Sequence, residues 1–382
     1  MYMTKGLKNS RIEVADALRG IAVIGIVLYH AVEHFNLGTP ETTFALACDG
    51  KVFNILTVLL SGKMYGIFAL LFGLSFFIQR DNQEQKGKDF SLRFAWRMIL
   101  LLCFGIINLT FYDGDILTFY ALWGLLMIPA GYLSTPVLWA VTIFLLAQPL
   151  EIYGLLSGWR PDISAMGKYY MEIGRTGADG TFLEHAAASL QYGFRASLLW
   201  FVMKGRVTQT IGLFFLGILF GRQRLFYNEG NHLKIWRVVA IVTAVIVTVA
   251  SILGQWHDGS VYFGGADLLL HPLYNLAMLL LIVSAVVLLW YAFEWFRNGL
   301  SHICFFGRMS LTNYLMSSIL GTFVFYHWGL GMHYVLGTTW SFLAGVAIIV
   351  LQIVILYQWA RRHRRGPLET VWRKLTWIGS KE

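Results

Sequence analysis

The chain has 382 residues, of which 57% are hydrophobic and only 13% charged, and its mean hydropathy is +0.60. Soluble globular proteins carry roughly 25% charged residues, so this composition excludes a soluble enzyme, a disordered chain and a repeat solenoid. Aromatic residues make up 16%, which is typical of a protein whose Trp and Tyr side chains lie at membrane interfaces. The composition predicts an all-α polytopic membrane protein.

The net charge and the cysteines argue against nucleic-acid binding and redox chemistry. The charge is +9, and the basic residues cluster in the connections between apolar segments and in the tail, as expected of cytoplasmic flanks. The cysteines are Cys48, Cys103 and Cys304, without any C-x-x-C spacing. They predict neither a disulfide framework nor a thiolate metal site.

Ten apolar segments are candidates for crossing the ~30 Å hydrocarbon core, which takes about 20 helical residues. In chain order they lie near residues 15–35, 53–79, 94–111, 115–133, 136–156, 206–222, 235–256, 268–293, 303–327 and 338–359. Lys and Arg are concentrated in alternate connections, on the side of the amino terminus, which predicts that both termini are cytoplasmic. We expect a single transmembrane domain, 1–382, with a long extracytoplasmic segment at 157–205 and a basic cytoplasmic tail at 360–382.

The ionisable residues of the first segment share one face of its predicted helix. They are Asp16, Arg19, His30, Glu33 and His34. At about 100° per residue they fall within an arc of about 100°, while the rest of the helix is apolar. Because a charged group in hydrocarbon costs about 2.5–3.5 kcal/mol, this face is expected to line the bundle interior or a water-filled cavity.

His30 is the leading candidate for a general base. It lies about 21 Å beyond Asp16 at ~1.5 Å per residue, in the outer half of the membrane. A neutral imidazole there can accept a proton from a hydroxyl or an amine, and Glu33 or His34 could orient it. Asp16 and Arg19 are further candidates for a catalytic role. The alternatives are a buried histidine bonded to a neighbouring helix and, for Asp16 and Arg19, an ion pair across one helical turn that sets topology.

Five polar residues are candidates for binding a substrate, and they are Lys63, Asp113, Asp115, His271 and Asn313. Lys63 lies deep in the second segment, where a lysine is expected to have a carboxylate partner such as Glu33, Asp113 or Asp115. Turn chemistry explains the two aspartates equally well. An interfacial cap explains His271, and hydrogen bonding between helices explains Asn313.

Four arginines at the cytoplasmic ends of segments are candidates for binding the phosphates of a nucleotide-like cofactor, and they are Arg93, Arg97, Arg222 and Arg308. A guanidinium group binds phosphate through two parallel hydrogen bonds. Ordinary cytoplasmic anchors look the same in a sequence. No histidine spacing of the H-E-x-x-H kind is present, so no metal site is expected.

Five motifs occur in order over nearly the full length: RIEVADALRGIA at 11–22, FALLFGLSF at 68–76, GDIL at 114–117, GILFGR at 217–222 and GRMSLTNYL at 307–315. They resemble the YeiB-like family of the integral-membrane acyltransferase superfamily, which is related to the acyltransferase type 3 proteins and the heparan glucosaminide N-acetyltransferases. Many YeiB-like chains carry Asn at the position of His30, whereas the type 3 acyltransferases carry a histidine held to be catalytic. This chain has the histidine.

The resemblance implies an acyltransferase of the bacterial inner membrane. Acyl-coenzyme A, expected to be acetyl-coenzyme A, would donate from the cytoplasm to a hydroxyl or amine of an envelope glycan, a lipid or a small metabolite. Membrane lipid is an expected partner, and a homodimer stays open. The alternative is a proton-coupled transporter, because ionisable residues inside the membrane also mark proton relays and substrate pathways.

Overall fold

The computed structural model describes residues 12–35, 37, 42–159, 163–227, 232–257, 260–263 and 266–378. The protein is 79% helical. Arg11, which opens the first motif, and the tail residues 379–382 lie outside the described part. The helices are α1 (Glu13–Val32), α2 (Asp49–Leu60), α3 (Met64–Glu84), α4 (Ser91–Leu109), α5 (Leu117–Gly124), α6 (Met127–Tyr132), α7 (Thr135–Leu146), α8 (Pro149–Ser157), α9 (Ile163–Asp179), α10 (Phe182–Ala188), α11 (Phe194–Met203), α12 (Arg206–Arg222), α13 (His232–Leu253), α14 (Asp267–Ala292), α15 (Glu294–Ser301), α16 (Cys304–Arg308), α17 (Ser310–Phe325), α18 (Thr338–Ala360) and α19 (Pro367–Thr376).

Among the described residues, secondary structure other than α-helix is confined to short pieces. Strands β1 (Gln255–His257) and β2 (Ser260–Tyr262) form an antiparallel hairpin between α13 and α14. A π-helical turn (Ser189–Gly193) joins α10 to α11, and a 3₁₀ turn (Met332–Tyr334) precedes α18. The fold is therefore all-α, as the composition predicts.

The structure supports a membrane protein and gives a coarser count of spans than the sequence. Among the described residues, six helices are long and apolar enough to cross a membrane, and the number rises to eight if each of two bent helix pairs is one span. Each of the ten predicted segments is helical over most of its length, but several are interrupted. The fourth becomes the short helices α5 and α6, and the ninth is divided at Met309 into α16 and α17.

Helix α1 lies at the centre of the bundle. The apolar 18-residue stretch of α1 is 67% buried inside the bundle, the largest share among the six candidate spans. The corresponding stretch of α13 is only 11% buried, so α13 lies at the periphery. Helix α1 packs against α3, α16, α17 and α18. A helix surrounded by others in this way can keep charged side chains out of the lipid, as its polar face requires.

Helices α3 and α12 make the most extensive helix pair, and they run parallel. The contacts advance together along both chains, from Tyr65 with Gln209 to Phe77 with Gly221. The backbones touch because a side chain at Gly73 would overlap the Phe214 carbonyl. Close approach through small residues is how helices associate in a bilayer.

Both α3 and α12 begin at a break formed by a glycine in the left-handed backbone region. Gly62 has φ +74° and separates α2 from α3, while Gly205 has φ +63° and separates α11 from α12. Glycine adopts this conformation without the steric penalty that a side chain brings. The second break turns the chain by 81°. Since the two helices are parallel, the two breaks lie side by side.

The described part of the carboxyl-terminal tail folds back on the bundle. Helix α19 packs against α4 and α17. The Trp96 indole nitrogen donates to the Leu375 carbonyl at 3.0 Å, and the Trp372 indole nitrogen donates to the Arg97 carbonyl at 3.2 Å. The tail therefore forms part of the packed structure.

Candidate functional site

A cavity of about 840 Å³ lies at the carboxyl-terminal end of α1, and we call it the His30 cavity. Its walls come from α1, the break between α2 and α3, the α4–α5 connection, α11, α12, α14 and the β1–β2 hairpin. Small-molecule sites usually measure 300–1,000 Å³. The ionisable residues of its wall include His30, Glu33, Lys63, Asp115, Arg206 and His271.

His30 lies in this wall with one ring nitrogen held and the other open. Its Nδ1 is 2.8 Å from the Tyr112 hydroxyl and 4.0 Å from a Glu33 carboxylate oxygen. No hydrogen-bond partner for Nε2 occurs among the residues that the structure describes, and the side chain is 20% exposed. A histidine held at one nitrogen and open at the other has the arrangement that a general base requires.

His34 does not belong to the polar face of α1 that the sequence predicts for five ionisable residues. Helix α1 ends at Val32, and His34 has a positive φ of 49°. Its Nε2 is 2.7 Å from the Ser341 hydroxyl and 3.0 Å from the Leu336 carbonyl, and the residue is fully buried. The helical periodicity does not extend to this position because the helix has already ended. His34 joins α1 to the start of α18 and is absent from the cavity wall.

Lys63 and Arg206 lie at the two glycine breaks and are each only 4% exposed. The Lys63 ammonium donates to the Thr57 carbonyl at 3.4 Å. Within the described residues no carboxylate oxygen approaches Lys63 to within 4.0 Å, so the predicted partners Glu33, Asp113 and Asp115 do not pair with it. The lysine instead has a second cation as its neighbour.

Asp115 also lines the His30 cavity, and its two oxygens are already bonded. Oδ1 accepts from the Asn108 amide at 2.9 Å, while Oδ2 accepts from the Thr118 backbone and hydroxyl at 2.8 and 2.7 Å. The carboxylate thus caps the start of α5. Asp113 is buried outside the wall, where its backbone carbonyl accepts from the Ser197 hydroxyl at 2.8 Å.

His271 and the neighbouring hairpin form one side of the cavity mouth. The His271 Nδ1 is 3.2 Å from the Val261 carbonyl of β2, and Asp267 accepts from the Phe263 backbone at 3.1 Å. Trp256 of β1 completes this side. Nowhere in the described ranges do three or more His, Cys, Asp or Glu side chains form a group suited to a metal ion.

A second cavity, of about 390 Å³, lies at the other end of α1, and we call it the Arg19 cavity. The Arg19 guanidinium donates to Asp16 at 2.7 Å and to the Ser75 hydroxyl at 2.8 Å. Asp16 and Arg19 thus form the ion pair that their spacing allows, and both line this cavity. The polar face of α1 is shared between two cavities.

The four predicted phosphate-binding arginines divide into two groups. Arg97 and Arg308 line the Arg19 cavity. Arg93 lies outside its wall and donates to the Thr376 carbonyl at 2.7 Å. Arg222 donates to the Gly131 and Leu133 carbonyls, at 2.7 and 2.9 Å, so it caps the end of α6 and is not available to a cofactor in either cavity.

Asn313 has a packing contact instead of the predicted substrate contact. Its amide donates to the Phe306 carbonyl at 2.8 Å, and its own backbone carbonyl accepts from the Gln352 amide at 3.1 Å. The residue is fully buried and lies outside both cavity walls. It connects α16, α17 and α18.

The tail closes one side of the Arg19 cavity. Glu369 of α19 accepts from the backbone of Leu311 and Thr312, at 2.8 and 3.0 Å, and from the Thr312 hydroxyl at 2.6 Å. The Arg97 guanidinium lies over the Trp372 ring, with its central carbon 4.0 Å from the ring centroid. Glu369 and Trp372 are both in the cavity wall.

The two cavities are separated by a thin apolar layer. Ile116 lines the His30 cavity, and the next residue, Leu117, lines the Arg19 cavity. On α3, Met64 lines the His30 cavity, and Phe68, one turn later, lines the Arg19 cavity.

Several residues of the site were not anticipated from the sequence. Tyr112, Arg206 and Glu369 carry no local pattern that assigns them to a cavity, because each reaches its partner from another segment of the chain. One signal was present for Arg206. It follows Gly205 at the start of an apolar helix, as Lys63 follows Gly62.

Comparison with known proteins finds YeiB among the relatives of this chain, in agreement with the YeiB-like motifs. Residues 220–379 match the family model described as protein of unknown function (DUF418). The chain is 28% identical to the uncharacterized protein YxaH of Bacillus subtilis, over 97% of this chain and 96% of that protein. It is 29% identical to the uncharacterized protein YeiB of Escherichia coli, over 94% and 95%. The family model matches the carboxyl-terminal part of this chain. The matches to YxaH and YeiB extend over nearly the whole length of each chain.

Proposed function

We propose that the protein is a bacterial inner-membrane acyltransferase that moves an acyl group from acyl-coenzyme A to a hydroxyl or an amine. The observation that carries the proposal is the arrangement along α1. A histidine with an open Nε2 lies in a large cavity at one end, and an arginine-lined cavity lies at the other. Both termini would be cytoplasmic, so the Arg19 cavity would open toward the cytoplasmic donor and the His30 cavity toward the acceptor.

His30 would act as the general base. Its Nε2 takes the proton from the acceptor hydroxyl or amine as the acceptor atom bonds to the thioester carbonyl carbon. The carbon–sulfur bond then breaks, and the imidazolium returns the proton to the departing thiolate, which yields free coenzyme A. Tyr112 holds the ring in place through Nδ1, and Glu33 lies close enough to stabilise the imidazolium.

The donor would bind from the Arg19 cavity. Arg97 and Arg308 offer guanidinium groups to the phosphates of coenzyme A. Arg19 lies about 16 Å from His30 along the helix at ~1.5 Å per residue, so it would contact the donor rather than the reacting carbonyl. The thioester would reach His30 by displacing the apolar layer of Ile116, Leu117 and Phe68.

The test is thiol release from acetyl-coenzyme A by detergent-purified protein, supplied with a panel of membrane lipids and sugars. We expect acceptor-dependent thiol release in the wild type and a fall of about 100-fold or more in His30→Ala, because general-base catalysis contributes typically 10²–10⁴-fold. His302→Ala is the matched control, since His302 is exposed and away from both cavities. Wild-type protein that neither binds nor turns over coenzyme A would contradict the proposal.

One observation favours transport as a second candidate function. The spans Asp49–Glu84 and Phe182–Arg222 are each broken by a left-handed glycine, and the two breaks meet in the His30 cavity. Paired discontinuous helices at a binding site are typical of secondary transporters. A transporter would carry protons or solute across liposomes without releasing thiol, so a flux assay beside the thiol assay separates the two classes.

A further inference from the structure

The His30 cavity contains two basic side chains that have no carboxylate partner among the described residues. Lys63 and Arg206 line the same wall and are both buried. The nearest side-chain partner of the Arg206 guanidinium is neutral, since its Nη1 donates to the Gln209 amide oxygen at 2.7 Å. Throughout the described ranges neither cation has a carboxylate oxygen within 4.0 Å. Buried charges without a counter-ion are costly and mark functional sites.

The Arg206 guanidinium keeps an unused donor in this environment. Its Nε is buried and has no hydrogen-bond partner within the part of the chain that the structure describes. Gln209 cannot supply one, because its oxygen already accepts from Arg206 and from the Tyr65 hydroxyl, and its amide donates to the Pro272 carbonyl at 2.7 Å. An unsatisfied buried N–H of a cation requires an acceptor.

The amino termini of two helices lie beside these cations in the wall of the His30 cavity. Helices α3 and α12 are parallel and begin at Met64 and Arg206, beside the two glycine breaks, and neither has a side-chain cap on its first turn. The amino terminus of a helix carries partial positive charge and free backbone N–H groups. Together with the two cations, these ends make a strongly electropositive pocket for an anion.

The Arg206 guanidinium lies directly against the backbone at Gly62, in the break between α2 and α3. A side chain at Gly62 would overlap the Arg206 guanidinium. The contact places Arg206, which comes from the second broken span, at the start of α3 in the first. One group bound here would therefore contact both broken spans at once.

We propose that Lys63, Arg206 and the first turns of α3 and α12 form a binding site for a phosphate group, which names the acceptor of the proposed transfer as a phosphate-bearing molecule. The identification of this molecule as the acceptor rests on the proposed function, while the anion site does not. A tetrahedral phosphate can accept from the fork of an arginine, an ammonium and backbone N–H groups together. The phosphate belongs either to a lipid or to a soluble ester.

The experiment measures binding to the full-length protein in a neutral detergent and a phosphate-free buffer by calorimetry. The probes are inorganic phosphate, dihexanoyl phosphatidylglycerol and the uncharged dihexanoylglycerol. We expect a phosphate-bearing probe to bind and the uncharged one not to. Binding of phosphatidylglycerol alone assigns the site to a lipid, and equal or tighter binding of inorganic phosphate assigns it to a soluble ester.

Three variants at Lys63 and Arg206 locate the site, and a fourth, at Arg175, serves as the control. Arg206→Gln and Lys63→Met each are expected to weaken phosphate binding at least 10-fold. Arg206→Lys keeps the charge without the fork and should have intermediate affinity, which covers the case in which Arg206→Gln fails to fold. Arg175→Gln makes the same charge change at an exposed ion pair with Glu172 and should stay within 2-fold of the wild type. The site is disproved if no phosphate probe binds, or if the folded Lys63 and Arg206 variants bind like the wild type.

Failure of this proposal is distinguishable from failure of the acyltransferase. His30→Ala abolishes thiol release if His30 is the base, yet it leaves phosphate binding within about 2-fold because His30 is not part of the anion site. Binding without any thiol release would retain the phosphate site and reject the transferase. Thiol release without phosphate binding would retain the transferase and reject the phosphate site.

Discussion

The hydrogen bond between Tyr112 and the Nδ1 of His30 joins residues that are distant in sequence and holds the histidine ring in the cavity wall. Tyr112 is buried in the α4–α5 connection, and its hydroxyl is 2.8 Å from the His30 Nδ1. A base whose ring can rotate spends little time in the productive orientation, so catalysis depends on such a contact.

Removal of this hydroxyl tests the contact directly. In Tyr112→Phe the ring still fills the same space. We expect kcat to fall about 10-fold or more while KM for the donor changes little, because the donor is proposed to bind in the Arg19 cavity. The free energy of unfolding should fall by only about 1 kcal/mol, the usual cost of one hydrogen bond. Kinetics of thiol release and thermal denaturation measure the two effects. An unchanged kcat would show that Tyr112 does not position His30.

Gly62 and Gly87, which both have left-handed backbone angles, provide a matched pair of substitutions. Gly87 has φ +70° and open space around its Cα, while Gly62 has φ +74° and the Arg206 guanidinium against it. Gly87→Ala should cost roughly 1–2 kcal/mol for the backbone conformation alone. Gly62→Ala should cost more and should also weaken phosphate binding, since Arg206 must move. Equal shifts in the denaturation midpoints would mean that Arg206 adapts without cost.

At the scale of elements, the docked tail closes one wall of the Arg19 cavity. Glu369 offers its carboxylate to the first turn of α17, where anions are stabilised. Arg93 and Arg97, proposed from the sequence to hold phosphate, contact the tail instead or as well. A donor entering this cavity would have the tail helix as a direct neighbour.

Tail docking is expected to weaken as the pH rises. Burial raises the pKa of the Glu369 carboxyl above its ordinary value of 4.5, and this effect exceeds the opposing hydrogen bonds from Thr312 and Leu311. Because the folded-state pKa is the higher one, the contribution of Glu369 to stability is fully present below pH 4.5 and declines as the pH rises through the raised value. Glu369→Gln has a similar shape and does not titrate.

Thermal denaturation of both proteins between pH 4.5 and 8 measures this dependence. The stability of the wild type relative to Glu369→Gln should decrease with rising pH. Protease sensitivity of the tail should increase over the same range in the wild type alone. Parallel stability curves for the two proteins would show that Glu369 does not titrate differently in the folded state.

At the scale of the whole molecule, the proposed mechanism needs the two cavities to face opposite sides of the membrane. The positive-inside pattern predicts that the His30 cavity faces outward. Cys48 is exposed just before α2, near that end, and His363 is exposed just after α18, at the other end. The two positions therefore report on opposite faces of the bundle.

Cysteine labelling tests this orientation in spheroplasts. A membrane-impermeant maleimide should label a variant that keeps Cys48 as its single cysteine. It should not label a variant whose single cysteine is introduced by His363→Cys until the membrane is lysed. Labelling of the second variant in intact spheroplasts would place the tail outside and reverse the proposed roles of the two cavities.

The parts of the site that could be predicted from the sequence are those that depend on a single helix. Composition and hydropathy indicate a helical membrane protein, since lipid cannot satisfy a bare backbone. The spacing of Asp16, Arg19, His30 and Glu33 along α1 places them toward the bundle interior, because helical periodicity is a local property. The same reasoning fails at His34, where α1 has already ended.

Contacts between distant segments were decided only by the tertiary structure. The parallel packing of α3 and α12 brings Lys63 beside Arg206 without a carboxylate, and the apolar layer at Ile116 and Leu117 divides one polar face between two cavities. Because the tail folds onto α4, Arg93 donates a hydrogen bond to the Thr376 carbonyl of the tail. Each outcome depends on which helices pack together and in which direction, and that information is spread over the whole chain.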